Sequence, residues 1–341
     1  MAFMKKFIDQ GQPHASYRTE TRRIGRGTES ASTPACFSFS SAGIWLLLNG
    51  ISWDLYLPYL AGAITLIMGV ICVRKEIAST PGADKIIVFG PIFLAVPMAV
   101  FGAEHFMFAE AVVAMVPSWI PWHLFWALLV GLCLIAGALS LVLRRCATLA
   151  AALFGTMLFL FVLLIHIPKI AQAPGDRFAW AVALRDLAFG AGALSFAAAQ
   201  AGERWRRPAK NMLIAARFFI GSPVVLFALE HFLHPEFKPG VPLKQLTPPW
   251  VPAHVLLAYM TGAILLITGL GLICNRGVKL ASTGLGLLLL LLVLVIYVPI
   301  VIAQPSAIGS GLNYLADTLL LSGSALCFAG TQREVLVARD A

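Results

Sequence analysis

The sequence predicts an all-α polytopic membrane protein with about nine transmembrane helices, eight of which form a tandem parallel repeat of two four-helix bundles. Hydrophobic residues make up 59% of the 341 residues and charged residues only 12%, about half the charged fraction of a soluble domain. Several apolar runs reach the roughly 20 residues that span a bilayer. These runs are continuous rather than alternating, which argues against a β-barrel. Polar residues recur between the two halves, which predicts the repeat.

The polar residues recur at an almost constant spacing. A shift of 131 positions carries the first set onto the second: Pro117, Trp119, Pro121, His123 and Asp186 onto Pro248, Trp250, Pro252, His254 and Asp317. Upstream, Glu104-His105-Phe106 recurs 126 positions later as Glu230-His231-Phe232, so the intervening loop is five residues longer in the second copy. Ionisable groups are costly in lipid. Their presence in both copies therefore indicates a role.

The chain divides into five segments. Residues 1–41 are rich in Ser, Thr, Gly and Arg without an apolar period, which predicts a disordered tail. Residues 42–85 are predicted to hold an extra transmembrane helix, at about 55–73, and a loop. The first unit, 86–203, has helices at about 86–110, 122–143, 147–168 and 178–200. The second unit, 213–330, has them at about 213–233, 253–274, 279–302 and 312–330. Residues 331–341 are predicted to be a C-terminal tail.

The basic residues predict the orientation. Each unit has an even number of helices, so both enter the membrane from the same side. Arg144, Arg145, Arg276 and Lys279 fall on one side with the C-terminus, and the positive-inside rule makes that side cytoplasmic. We therefore expect a multi-pass protein of the cytoplasmic membrane. The net charge of +9 is attributed to topology rather than to nucleic-acid binding. The basic N-terminal tail would lie on the opposite side, against the same rule.

The recurring polar residues are predicted to lie in the outer half of the membrane, in two equivalent chambers, one in each bundle. Glu104 and His105 are adjacent, so they diverge by about 100° and cannot both point to one centre. The candidates for ligand binding or proton handling are Glu104, His105, His123, His166 and Asp186 in the first unit, and Glu230, His231, His254, Tyr297 and Asp317 in the second.

Three kinds of chemistry suit these groups. A carboxylate beside imidazoles can hold a proton near neutral pH, and a His or Tyr can form a hydrogen bond with a quinone carbonyl. The same groups could instead pair with one another and lock the helices together. A metal site is not expected, because no metal-ligand spacing is shared by both copies. Arg185 has Ala316 as its counterpart, so it is interpreted as a local carboxylate partner or a snorkelling side chain.

Short motifs link the units to a known family. Gly-Ala-Glu-His-Phe (102–106) and Ala-Leu-Glu-His-Phe (228–232) end the first helices, Pro-x-Trp-x-Pro turns follow, and the third helices end in His166 or Tyr297. In these features each unit resembles the DoxX-like family of small four-helix membrane proteins. The resemblance implies a cytoplasmic-membrane protein, in some members linked to quinone-coupled sulfur oxidation or oxidant defence. This chain departs from the family by fusing two units and adding a helix in front.

Three functions are compatible with these observations. The first is a redox-associated membrane subunit that binds a quinone-like or other lipophilic ligand in each chamber and works with a membrane redox partner. The second is a non-catalytic scaffold or assembly factor. The third is a transporter, against which the scarcity of polar residues in the inner half counts. Independent catalysis is not expected, since the chain has no phosphate-binding loop, dinucleotide fingerprint or nucleophile elbow.

Overall fold

The protein is an all-α polytopic membrane protein, as the composition predicts. The computed structural model describes residues 53–202 and 206–340, and over these ranges nine helices are long and apolar enough to cross a membrane. The predicted disordered tail and residues 42–52 lie outside the described residues. The helices are α1 (Leu57–Ser79), α2 (Gly82–Met107), α3 (His123–Val142), α4 (Ala147–Gln172), α5 (Arg177–Ala199), α6 (Arg206–Leu233), α7 (His254–Ile273), α8 (Val278–Ala303) and α9 (Ile308–Gln332).

The loops alternate between the two ends of the molecule. The connections after α1, α3, α5 and α7 lie at one end, together with Arg144 and Arg276, and we call this end the basic side. The connections after α2, α4, α6 and α8 lie at the other end, and a short helix, Ala109–Val113, is part of the first of them. We call α2–α5 the first unit and α6–α9 the second unit.

Helices α4 and α8 contain a π turn at corresponding places, and α9 begins with another, Ile308–Leu312. The turns are Val162–His166 in α4 and Val293–Tyr297 in α8, and each is followed by a proline after one intervening residue, Pro168 or Pro299. Proline has no N–H to donate to the preceding turn, and the shifted hydrogen bonding of a π turn accommodates that loss. The predicted end of the third helix at residue 168 was therefore wrong, because α4 continues to Gln172.

Helices α5 and α9 form the centre of the molecule. They pack against each other, α2 packs against α3 and α9, and α6 packs against α7 and α5. The first helix of each unit thus packs on the last helix of the other unit. Contact between α2 and α5 is marginal at most, so the units do not close as two separate bundles. Helix α1 lies outside α2, where Gly62 and Gly69 give room for Val100 and Ile92.

Small residues bring the central helices close together. A Cβ built on Gly192 of α5 would lie 2.2 Å from the Cβ of Ser324 on α9, and one built on Gly323 would lie 2.7 Å from the carbonyl carbon of Phe93 on α2. Small residues allow helix backbones to approach closely where lipid provides no hydrophobic drive for association. Glycine and serine therefore permit the close approach of α5 and α9 at this level.

Other predicted boundaries also differ from the structure. The segment 331–341, predicted to be a tail, is helical as far as Asp340. Residues 331–340 include no glycine or proline that would break the helix. Helix α6 begins at Arg206 rather than near 213. Its first turns are polar and carry no apolar period, so hydropathy alone placed the start too late.

Candidate functional site

The buried centre between α5 and α9 is ionic. Asp186 on α5 and Asp317 on α9 are both buried, and Arg185 connects them. Its Nε donates to Asp186 Oδ1 at 2.9 Å, and one of its terminal nitrogens donates to Asp317 Oδ2 at 2.5 Å. A buried charge is tolerated when it is paired and hydrogen-bonded. Arg185 therefore joins the two units. The Arg185–Asp186 pair has no equivalent in the second copy, where Ala316 precedes Asp317.

His166 extends this network into the first unit. Its Nε2 lies 2.8 Å from Asp186 Oδ2, and the side chain keeps 12% of its surface exposed. Nδ1 forms no hydrogen bond with the described part of the chain. A carboxylate that binds one ring nitrogen fixes the orientation of the imidazole and leaves the other nitrogen for a further partner. The π turn in α4 ends at this residue, and π turns occur frequently at functional sites.

Glu104 approaches the same centre from α2. Its side chain is buried and lies close enough to Asp317 to interact electrostatically, with Asn313 beside it on α9. Among the described side chains, Glu104 Oε1, Asn313 Oδ1 and Asp317 Oδ1 are buried oxygens without a hydrogen-bond partner. Glu104, His166, Asp186 and Asp317 therefore form one group around Arg185. We call these five residues the ionic cluster.

Glu230, the counterpart of Glu104, lies apart from the cluster. It accepts a hydrogen bond at 2.5 Å from Arg177 at the start of α5. Arg177 also donates to the carbonyl oxygens of Pro242 and Leu243, at 3.2 and 2.6 Å, and its guanidinium lies over the ring of Phe237. Arg177 therefore ties the α6–α7 loop to the first unit.

Part of that loop is inserted into the second unit. Residues 238–243 are all buried, and we call them the plug. A Cβ built on Gly240 would lie 3.5 Å from Leu292 of α8 and 3.4 Å from Thr318 of α9. The plug therefore packs against both α8 and α9. Burial lowers the pKa of the Lys238 amine in this loop to about 8, and the amine donates to Ser310 O at 2.6 Å.

The plug uses the polar groups that were predicted to line the second chamber. His231 Nε2 accepts a hydrogen bond from Gly240 N at 3.0 Å, so its Nδ1 carries the proton and donates to Phe227 O at 2.6 Å. The hydroxyl of Tyr297 donates to Pro239 O at 2.6 Å. Both side chains are buried and hydrogen-bonded within the protein. Neither offers a free group to a ligand.

The corresponding loop of the first unit does not enter the helices. None of residues 108–122 is buried. His105 bonds through Nδ1 to Phe101 O at 2.7 Å, and its Cβ faces Gly131 on α3. His123 contacts Pro117 O through Nε2 at 3.2 Å, and its counterpart His254 is exposed. These three histidines lie outside the ionic cluster.

The expected pair of equivalent chambers is therefore wrong in two respects. Glu104 and Asp186 of the first unit meet Asp317 of the second unit in one cluster, whereas Glu230 lies apart, and the second unit is filled by its own loop. Arg185 was predicted only to be a local carboxylate partner or a snorkelling side chain, and Arg177 and Asn313 were not among the predicted site residues. Ionisable residues in transmembrane helices pair with one another or with backbone carbonyls, and a guanidinium has several donors, so Arg185 was a signal for a second partner on another helix. The five additional loop residues were the signal for the plug.

The comparisons with known proteins leave the site to be interpreted from its geometry. No family model matches the chain, and no curated protein and no solved structure matches it significantly. In the described residues, no group of three or more His, Cys, Asp and Glu side chains could hold a metal ion.

Proposed function

We propose that the chain is a fused pair of DoxX-like units that binds a lipophilic ligand of the quinone type at His166. The observation that carries this proposal is the His166–Asp186 pair, in which Asp186 holds one ring nitrogen at 2.8 Å while Nδ1 has no partner among the described residues. With Nε2 donating to Asp186, Nδ1 accepts a hydrogen bond from a quinol hydroxyl when the imidazole is neutral and donates one to a quinone carbonyl when it is protonated. The apolar helices place the protein in the bilayer, and a quinone reaches the site through that bilayer.

The difference between the two units supports a single ligand site. In the second unit the plug contacts Tyr297, and the phenol is fully buried. In the first unit His166 occupies the equivalent place, and the loop at 108–122 remains outside. The first unit therefore binds the ligand, whereas the second unit is closed by its own chain.

The scaffold function is the second candidate, and a specific observation favours it. Arg185 pairs with acids on both central helices, and Arg177 pairs with Glu230 across the units. Such pairs can serve assembly alone, because intramembrane polar groups often hold helices together. The transporter function is less well supported. The Gly192–Ser324 contact closes the α5–α9 interface between the cluster and the basic side.

Binding of a short-chain benzoquinone to the purified protein in detergent tests the proposal. We expect His166→Ala to weaken binding about two- to tenfold, since one hydrogen bond contributes about 0.5–1.5 kcal/mol. Tyr297→Phe is the matched control, because it alters the equivalent position in the closed unit and should leave affinity unchanged. Equal affinities of wild type and His166→Ala would contradict the quinone site. Absence of binding by the wild type, with Asp186→Asn lowering stability, would favour the scaffold.

A further inference from the structure

The unpaired oxygens of the ionic cluster have no role in the proposed quinone site. Glu104 Oε1, Asn313 Oδ1 and Asp317 Oδ1 are buried and lack a hydrogen-bond donor in the described chain. Asn313 and Asp317 are four residues apart on α9, so they share one helix face, and Glu104 lies opposite on α2. Glu104 is 9% exposed and Asp317 is 2% exposed. Buried acceptors without donors are costly, so these oxygens need a hydrogen-bond donor or a bound cation.

The charges of the cluster favour a bound cation. Its acids are Glu104, Asp186 and Asp317, and its only permanent cation is Arg185. Even with His166 protonated, three negative charges face two positive ones. Arg185 and His166 direct their hydrogen bonds to Asp186 and Asp317, and none of these bonds goes to Glu104. When all three acids are ionised, at least one negative charge of the cluster has no cation to compensate it, although the Asn313 side chain forms a hydrogen bond with Glu104.

The other titratable groups around Glu104 do not provide that compensation. On α1, Tyr59 donates its hydroxyl hydrogen to Pro305 O at 2.7 Å. On α9, the Tyr314 hydroxyl accepts from the backbone nitrogens of Lys244 and Gln245, at 3.0 Å each. Lys238 donates to Ser310 O, and Tyr297 donates to Pro239 O.

We infer that Glu104, Asn313 and Asp317 bind one small monovalent cation, a proton or Na⁺, between α2 and α9. Carboxylate and amide carbonyl oxygens are hard ligands that suit a proton or an alkali cation better than a soft transition metal. The bound charge neutralises the excess acid of the cluster and links the first helix of one unit to the last helix of the other. This site does not depend on a ligand at His166.

Infrared spectroscopy and thermal unfolding of the full-length protein in detergent test the inference and distinguish the two cations. A bound proton gives the C=O stretch of a protonated carboxyl group in Na⁺-free buffer, and Glu104→Gln or Asp317→Asn removes that band. Bound Na⁺ raises the melting temperature of the wild type relative to choline chloride at equal ionic strength, and Glu104→Gln abolishes that rise.

Glu230→Gln is the matched control, because Glu230 already has Arg177 as its partner. This variant should keep both the protonated carboxyl band and any response to Na⁺. The site would be refuted by a wild-type protein that shows neither signal. It would also be refuted if the band persisted in both cluster variants, or if Glu230→Gln removed either signal as effectively as Glu104→Gln.

Discussion

Replacement of Gly192 by alanine should separate the two central helices. The added Cβ would lie 2.2 Å from Ser324 Cβ and 2.4 Å from Ser324 Cα, whereas carbon atoms in contact prefer about 3.5–4.0 Å. One of the two clashing atoms belongs to the backbone, so a change of rotamer cannot relieve the overlap. Helices α5 and α9 must move apart by roughly 1.5 Å at this point to restore ordinary contact.

The expected cost follows from two opposing effects. Overpacking of a tight core costs about 1–3 kcal/mol, and the better helix propensity of alanine returns up to about 1 kcal/mol. The upper part of the overpacking range applies at Gly192, because the clash involves two whole helices. We therefore expect Gly192→Ala to lower the free energy of unfolding by about 2 kcal/mol.

Unfolding by SDS in mixed micelles measures this difference, and Gly284→Ala is the matched control. At Gly284 on α8, an added Cβ would meet only Thr268 Cγ2 at 3.9 Å, which is ordinary contact. The control should therefore gain about 0.5–1 kcal/mol from helix propensity. If Gly192→Ala were as stable as Gly284→Ala, the close α5–α9 packing described above would be wrong.

Three further predictions concern the plug and its attachments. Arg177→Met should lower the free energy of unfolding by about 1.5–3 kcal/mol, since hydrogen bonds to charged groups are lost. The control Arg144→Met breaks an exposed ion pair and should lower it by only about 0–1 kcal/mol. Equal losses in SDS unfolding would contradict the role given to Arg177. Between pH 8 and 10.5 the unfolded chain binds more protons at Lys238 than the folded protein does, so stability should rise across this window. Stability measured against pH should lose that rise in Lys238→Met, and an unchanged profile would count against burial of the amine. Tyr297→Phe leaves the Pro239 carbonyl unpaired and should lower the free energy of unfolding by about 1–3 kcal/mol. The control Tyr259→Phe, at an exposed position, should change it by less than about 0.5 kcal/mol. Equal stabilities of the two variants in thermal or SDS unfolding would contradict the buried hydrogen bond.

The sequence was sufficient to predict the positions of the helices, because lipid imposes a simple requirement on each of them. A run of about 20 apolar residues must form a helix in a bilayer, whatever its neighbours are. The predicted helices therefore match the described ones to within several residues. Large differences occur where this requirement ends: α1 continues through polar residues to Ser79 instead of ending near 73, and α6 begins at Arg206 instead of near 213.

The partners of the helices could not be predicted in the same way. An apolar helix in a membrane has no polar face that marks its exterior, so the sequence does not reveal that α2 packs on α9 rather than on α5. The asymmetry of the site has a similar origin. His166 and Tyr297 occupy matching positions, but only the plug, through Pro239, determines that Tyr297 is enclosed.

The double-mutant cycle between Arg185 and Asp317 tests most directly whether one ionic cluster joins the two units. These residues lie 132 positions apart in the chain and 2.5 Å apart at their closest atoms. Residues in contact couple by about 0.5–3 kcal/mol, and breaking a buried ion pair is especially costly. For Arg185→Met and Asp317→Asn, we predict a coupling energy of about 2 kcal/mol or more in the free energy of SDS unfolding. Additive effects, within about 0.5 kcal/mol, would contradict the cluster.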